Sequence, residues 1–163
     1  MKRGAKECWI QGAFFGRMLR GPGEQRAMSQ IPDEAAERVL GTIREVIEMD
    51  ANGQQAEAEA FFRPLVEEFP ESSLVHSYMC WILSRSGKHR EAIDHGRVAV
   101  KLSPESELSS VMLFRALWGA DEHAPAFEEM KRLEKYGHSE EYARMMQEWN
   151  EGVKEDAASE AIQ

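Results

Sequence analysis

A fixed spacing of 34 residues constrains this chain more than any other feature. Gly53, Ala58 and Pro70 recur as Gly87, Ala92 and Pro104, and Ala126 follows Ala92 at the same interval. A period of this length marks paired helices stacked along an axis, because one such unit cannot bury its apolar face alone. The reference stretch is Gly87 to Pro104, GKHREAIDHGRVAVKLSP. Gly87 takes a positive φ at low cost and ends the helix before it. Ala92, Ile93, Gly96, Ala99, Val100 and Leu102 lie close to helical spacing, and Pro104 closes the unit. The expected fold is all-α, an α-solenoid of antiparallel helix pairs with about seven helices.

Apolar stripes at spacings of three and four place the helices. Asp33 is the expected N-cap of the first, with Ala36, Val39, Leu40, Ile43, Val46 and Ile47 on one face. Asn52–Gly53 breaks it. The second runs from about Gln55 to Phe69, with Ala58, Phe61, Phe62, Leu65 and Phe69 inward. Pro64 lies inside it; an interior proline costs about 3 kcal/mol unless the helix kinks, which predicts a bend near Ala60–Pro64. The third helix covers about Ser73 to Ser86. The fifth starts near Ser103–Ser106 and runs to Gly119, and Pro125 suits the first turn of the sixth. Ser139 caps a seventh helix ending at Gly152, with Tyr142, Met145, Met146 and Trp149 at i, i+3, i+4 and i+7.

Charge divides the chain. The 163 residues carry a net charge of −9. Residues 1–27 carry +4, which leaves −13 for the rest. That acidic body disfavours a nucleic-acid partner, since phosphates need Lys and Arg. Residues 1–31 read as a basic, disordered leader with the apolar cluster Cys8, Trp9, Ile10, Phe14, Phe15, Met18 and Leu19; a translation start at Met28 and a transit peptide are the alternative readings. Residues 32–152 form the repeat domain, with units over 39–72, 73–106 and 107–140 and a capping helix over 139–152. Residues 153–163 are a small, acidic tail expected to fray. Two cysteines, Cys8 and Cys80, make no disulfide framework, and no apolar run reaches the length of a membrane span. The expected location is cytoplasmic.

With these residues in place, the chain resembles the tetratricopeptide repeat family over about Val39 to Glu140. In the family pattern a glycine ends the first helix, a small residue opens the second, another sits seven later and a proline closes the unit. The middle unit offers Gly87, Ala92, Ala99 and Pro104. The upstream unit offers Gly53, Ala58, Leu65 and Pro70. The downstream unit keeps Ala126 and Leu133 but has Asp121 for the glycine and His138 for the proline. His76 stands where an aromatic is expected, Cys80 is the small residue four further on, and Gly96 replaces the aromatic of the second helix.

The resemblance implies a concave groove lined by first helices, which takes a peptide or partner helix. Its groove positions project onto Leu40, Ile43 and Ile47, then Leu74, Ser77, Trp81 and Arg85, then Leu108, Val111, Arg115 and Trp118. The partner-binding set expected from this is Trp81, Arg85, Arg115, Trp118, Ser77, Val111 and Ile43. Trp and Arg are the types enriched at binding hot spots. The positions of the family's carboxylate clamp carry Ile43, Ile47, Tyr78, Leu108 and Met112, so an apolar or amphipathic protein segment, possibly basic, is the more natural ligand. The leader's Trp9, Phe14 and Phe15 are an occupant in cis. Tyr142, Met146 and Trp149 offer either a cap or the face of a weak homodimer.

Catalysis finds no motif. His76, His89, His95, His123 and His138 are scattered, and no phosphate loop, nucleophile elbow or paired-cysteine site is present. Neither a metal nor a cofactor is expected.

Overall fold

The structure, a computed structural model, describes residues 22–151 apart from 141, 145, 148 and 149. Among the described residues it is all-α, with no strand. The helices are α1 Pro22–Ser29, α2 Asp33–Ala51, α3 Gln55–Glu68, α4 Ser73–Arg85, α5 His89–Leu102, α6 Glu107–Gly119 and α7 His123–Glu134. Further helical residues follow at 140, 142–144, 146–147 and 150–151.

The 34-residue spacing reappears in the backbone. The residues with positive φ after α2, α4 and α6 are Gly53 (77°), Gly87 (74°) and Asp121 (61°). At each turn the next residue's N–H reaches five residues back: Gln54 to Met49 O, Lys88 to Leu83 O and Glu122 to Leu117 O, all at 2.9 Å. The left-handed residue itself donates three back, to Asp50, Ser84 and Trp118 carbonyls. This paired pattern is the Schellman motif, and it satisfies carbonyls that a helix end would otherwise leave open. Ala58, Ala92 and Ala126 then sit in the first turn of each following helix, 0–1% exposed. At the other ends, Ser72 and Ser106 cap α4 and α6 by accepting from Val75 N at 3.3 Å and Ser109 N at 3.1 Å. Ser139 accepts from Tyr142 N at 3.1 Å in the same way.

Consecutive helices from α2 to α7 pack on one another, and α4 also packs on α2 and α6. Every residue of α4 from Ser73 to Leu83 is buried, and Leu108 to Phe114 of α6 are buried as well. A helix apolar all round belongs in an interior, so these two form the centre. They run parallel: Ser77 Oγ meets Ser109 Oγ at 2.9 Å and Cys80 Sγ meets Met112 O at 3.4 Å, a constant offset of 32 residues. Gly96 of α5 lets that helix close on both. A Cβ there would lie 3.1 Å from Cys80 Sγ and 3.2 Å from Leu113 Cα.

Four local expectations change. Asp33 is the first residue of α2 rather than its cap; Pro32 holds the N-cap position. Phe61 is 41% exposed rather than inward. The α3 helix continues through Pro64. Ala60 and Pro64 both lie on its exposed side, where water can take the carbonyl that proline leaves unbonded. Residues 22–31, assigned to the leader, contain α1, which packs on α4 and α6. Arg26 pairs with Glu105 at 3.0 Å, Ile31 is 3% exposed, and Gln30 Oε1 accepts from Ser73 N and Oγ at 2.8 and 2.9 Å. Residues 1–21 and 152–163 lie outside the described residues, as do Met145 and Trp149 of the C-terminal stripe.

Candidate functional site, a cationic cleft between α4 and α6

The parallel course of α4 and α6 brings their C-terminal turns side by side. Between them lies a cleft of about 240 Å³. Trp81 and Arg85 of α4 face Met112, Arg115 and Trp118 of α6 across it, and His89 at the start of α5 closes one end beside Gly119. The Trp and Arg members of the expected partner-binding set, Trp81, Arg85, Arg115 and Trp118, thus line one cavity.

Their environments differ. Arg85 donates its Nε–H to both oxygens of Asp50 at 3.0 Å, and Gln55 adds a hydrogen bond to Asp50 Oδ1 at 3.3 Å. The charge of Arg85 is therefore neutralised within the fold. Arg115 is half-buried and makes no hydrogen bond or ion pair among the described residues. Burial pulls its pKa down to about 10, and the nearby Arg85 cation adds to the effect, while Cys80 and Asp50 oppose it. At neutral pH it stays charged. His89 lines the same cavity, and its Nδ1 is buried with no hydrogen-bond partner. Trp118 is half-buried in an aromatic cluster, with its ring centroid 5.8 Å from Phe114, 4.2 Å from His123 and 5.7 Å from Phe127.

The rest of the expected partner-binding set lies elsewhere. Ile43 is 3%, Val111 2% and Ser77 0% exposed. These three belong to the core between first helices. Ser77 donates to Ser73 O at 2.8 Å and meets Ser109 across the α4–α6 interface, so its polarity serves packing. Trp81 is itself 2% exposed and forms a wall of the cleft rather than a free surface. Tyr142 and Met146, offered above as a cap or a dimer face, are 4% and 6% exposed within one chain, which leaves them little surface for a second copy.

Two polar features escaped the sequence reading. Glu59, buried, accepts from Lys88 Nζ at 2.8 and 2.9 Å and from Arg63 at 2.6 Å, joining α3 to α5. Burial pushes its carboxyl pKa up, but those hydrogen bonds together outweigh it and hold the pKa below the ordinary value. His76 Nε2 lies 2.9 Å from Pro70 O, and its Nδ1 lies 2.9 Å from His95 Nδ1. A glutamate followed by a cation on the next helix, and two histidines 19 apart, carry no signal until the helices are packed. The Cys80 thiol is fully buried, its pKa pushed up to about 12 by burial, and is chemically quiet.

Among the described residues no group of His, Cys, Asp or Glu is arranged to hold a metal, and no helix is long and apolar enough to cross a membrane. No protein-family model matches the chain, and no curated protein is significantly similar to it.

Proposed function

We propose that this protein is a non-catalytic interaction module of the tetratricopeptide-like kind, an adaptor, chaperone-like or immunity-type protein that captures a segment of another protein. The observation that carries the reading is the cleft between α4 and α6, where Trp81, Arg85, Arg115 and Trp118 converge. Aromatic walls around an unneutralised arginine are the composition of a binding hot spot. The recurrence of the 34-residue turn geometry at Gly53, Gly87 and Asp121 supports the repeat reading. The expected ligand is an apolar or amphipathic segment.

The test is affinity capture from the native host with mass spectrometry, comparing wild type with the double variant Arg115→Ala, Trp118→Ala. Replacing Trp81 would be a poor choice, because truncating a buried tryptophan costs about 3–5 kcal/mol and confounds binding with folding. A partner enriched by wild type and lost by the double variant, at unchanged helical circular dichroism, supports the reading. Equal capture by both proteins refutes the cleft as the binding surface. Salt separates two roles: an immunity-type complex between the acidic body and a basic toxin weakens steeply with ionic strength, and a chaperone complex on an apolar segment does not.

A further inference from the structure

The electrostatics of the cleft specify more than an apolar ligand. Arg85 is already matched by Asp50, so among the described residues the cavity presents one positive charge without a counter-ion in contact, that of Arg115. A half-buried cation without a counter-ion is a costly arrangement unless something supplies the anion. His89 lines the same space, with its Nδ1 buried beside Gly119 and without a hydrogen-bond partner among the described residues. Resting on the capture function above, we propose that the cleft is a carboxylate-binding site that receives a single aspartate or glutamate side chain of the bound segment.

Three observations select that chemistry. Among the described residues one unmatched cation lines the cleft and suits one negative charge, whereas a phosphate dianion would need a second, and the charge of Arg85 is already matched by Asp50. The C-terminal turns of α4 and α6 bring their carbonyl ends to the same place, and that partial negative charge opposes any anion, a dianion more strongly than a single carboxylate. The volume of about 240 Å³ suits a side chain, and Trp81, Met112 and Trp118 offer apolar walls to its methylene stem. Low polarity around the pair strengthens the charge-assisted hydrogen bond from the guanidinium to the carboxylate. The net charge of −9 repels a highly acidic segment. The segment that fits is therefore mostly apolar with one acid at the contact.

The experiment uses the full chain with isotope-labelled arginine and follows the Arg115 Nε–H signal by NMR, assigned through Arg115→Gln. The probes are a short acetylated and amidated leucine-rich peptide with one central glutamate, its glutamine counterpart, the glutamine peptide with a free C-terminus, and inorganic phosphate at matched ionic strength. The expected result is a saturable shift with the glutamate peptide, binding about tenfold or more weaker for the glutamine peptide, and no such preference in Arg115→Gln. Equal binding of the glutamate and glutamine peptides overturns the proposal while leaving segment capture intact. A free C-terminus or phosphate that shifts Arg115 as strongly as the glutamate also overturns it. So does an unmoved Arg115 with every probe at millimolar concentration. An Arg115 signal that changes on Glu7→Gln alone would assign the cleft to the chain's own N-terminal residues and overturn it too.

Discussion

Arg85 holds both carboxylate oxygens of Asp50 through its Nε–H at 3.0 Å, and this pair ties the last turn of α2 to the last turn of α4. Asp50 is 8% exposed, while the Arg85 side chain is 32% exposed. Asp50→Asn removes the charge and leaves the shape. Because one partner reaches solvent, the expected loss is about 1–3 kcal/mol, measured by chemical denaturation. It also leaves a second unmatched cation at the cleft, so anionic probes should bind more tightly to this variant. A stability change below about 0.5 kcal/mol would show that the pair contributes nothing beyond surface attraction.

Arg115 carries the opposite expectation. A half-buried cation with no partner among the described residues is a cost of the free protein, so Arg115→Leu should keep or raise stability, by up to about 1 kcal/mol. The same change should abolish carboxylate binding. Stability gained together with function lost marks a site held ready for a ligand. Thermal denaturation of the two proteins side by side reads the first half. A loss of more than about 1 kcal/mol would make Arg115 a structural prop instead.

Acid should weaken the contact between α4 and α5. His76 donates Nε2–H to Pro70 O, which leaves its Nδ1 as the acceptor for His95 Nδ1–H. Burial lowers the pKa of both rings, and His76 lowers that of His95 further. Glu91 and Asp94 pull His95 up, and Arg63 pulls it down. The unfolded chain therefore binds protons first, near pH 6.5, and stability falls as pH drops below that value. Protonating His76 also sets two N–H groups against each other at 2.9 Å. We expect a loss of stability between about pH 7 and pH 5 that shrinks in His95→Gln, whose amide can still donate to His76. Denaturation midpoints across that range, identical in slope for both proteins, would remove the histidine pair from the explanation.

Asp121 occupies the left-handed region, φ 61°, at the turn where Gly53 and Gly87 sit in the other two units. Its side chain is 95% exposed. Left-handed backbone costs a non-glycine residue about 1–2 kcal/mol, part of which glycine returns as unfolded-state entropy. Asp121→Gly should therefore stabilise by about 0.5–1 kcal/mol, visible as a raised melting temperature. An unchanged or lowered melting temperature would mean that the side chain supports the turn.

Much of the helical order was legible in the sequence because it depends on residues that act locally. Gly53 and Gly87 end helices through their own backbone, and Ala58, Ala92 and Ala126 announce close approach through size. The burial of Ser77 and Ser109 was not legible. A serine on a helix reads as surface until a second serine from a parallel helix meets it. The helix α1 was hidden for a similar reason. PGEQRAMS has no apolar stripe, and α1 is held by Arg26 on Glu105, Gln30 on Ser73 and the buried Ile31, all long-range. The residue types of the cleft were legible, but the contrast between a matched Arg85 and an unmatched Arg115 arises only from where Asp50 lands.

Gln30 gives the α4–α6 pair a mechanical asymmetry. Its carbonyl oxygen holds the first turn of α4 at Ser73, its amide reaches Leu102 O at 3.4 Å, and Arg26 beside it holds Glu105 just before α6. The two rods are thus riveted at their N-terminal ends. About 20 Å away, at 1.5 Å per residue, their C-terminal ends flank an opening. Any change in the angle between the rods displaces them little at the rivet and most at the opening, so a ligand that closes on Arg115 acts at the long end of a lever whose fulcrum is α1.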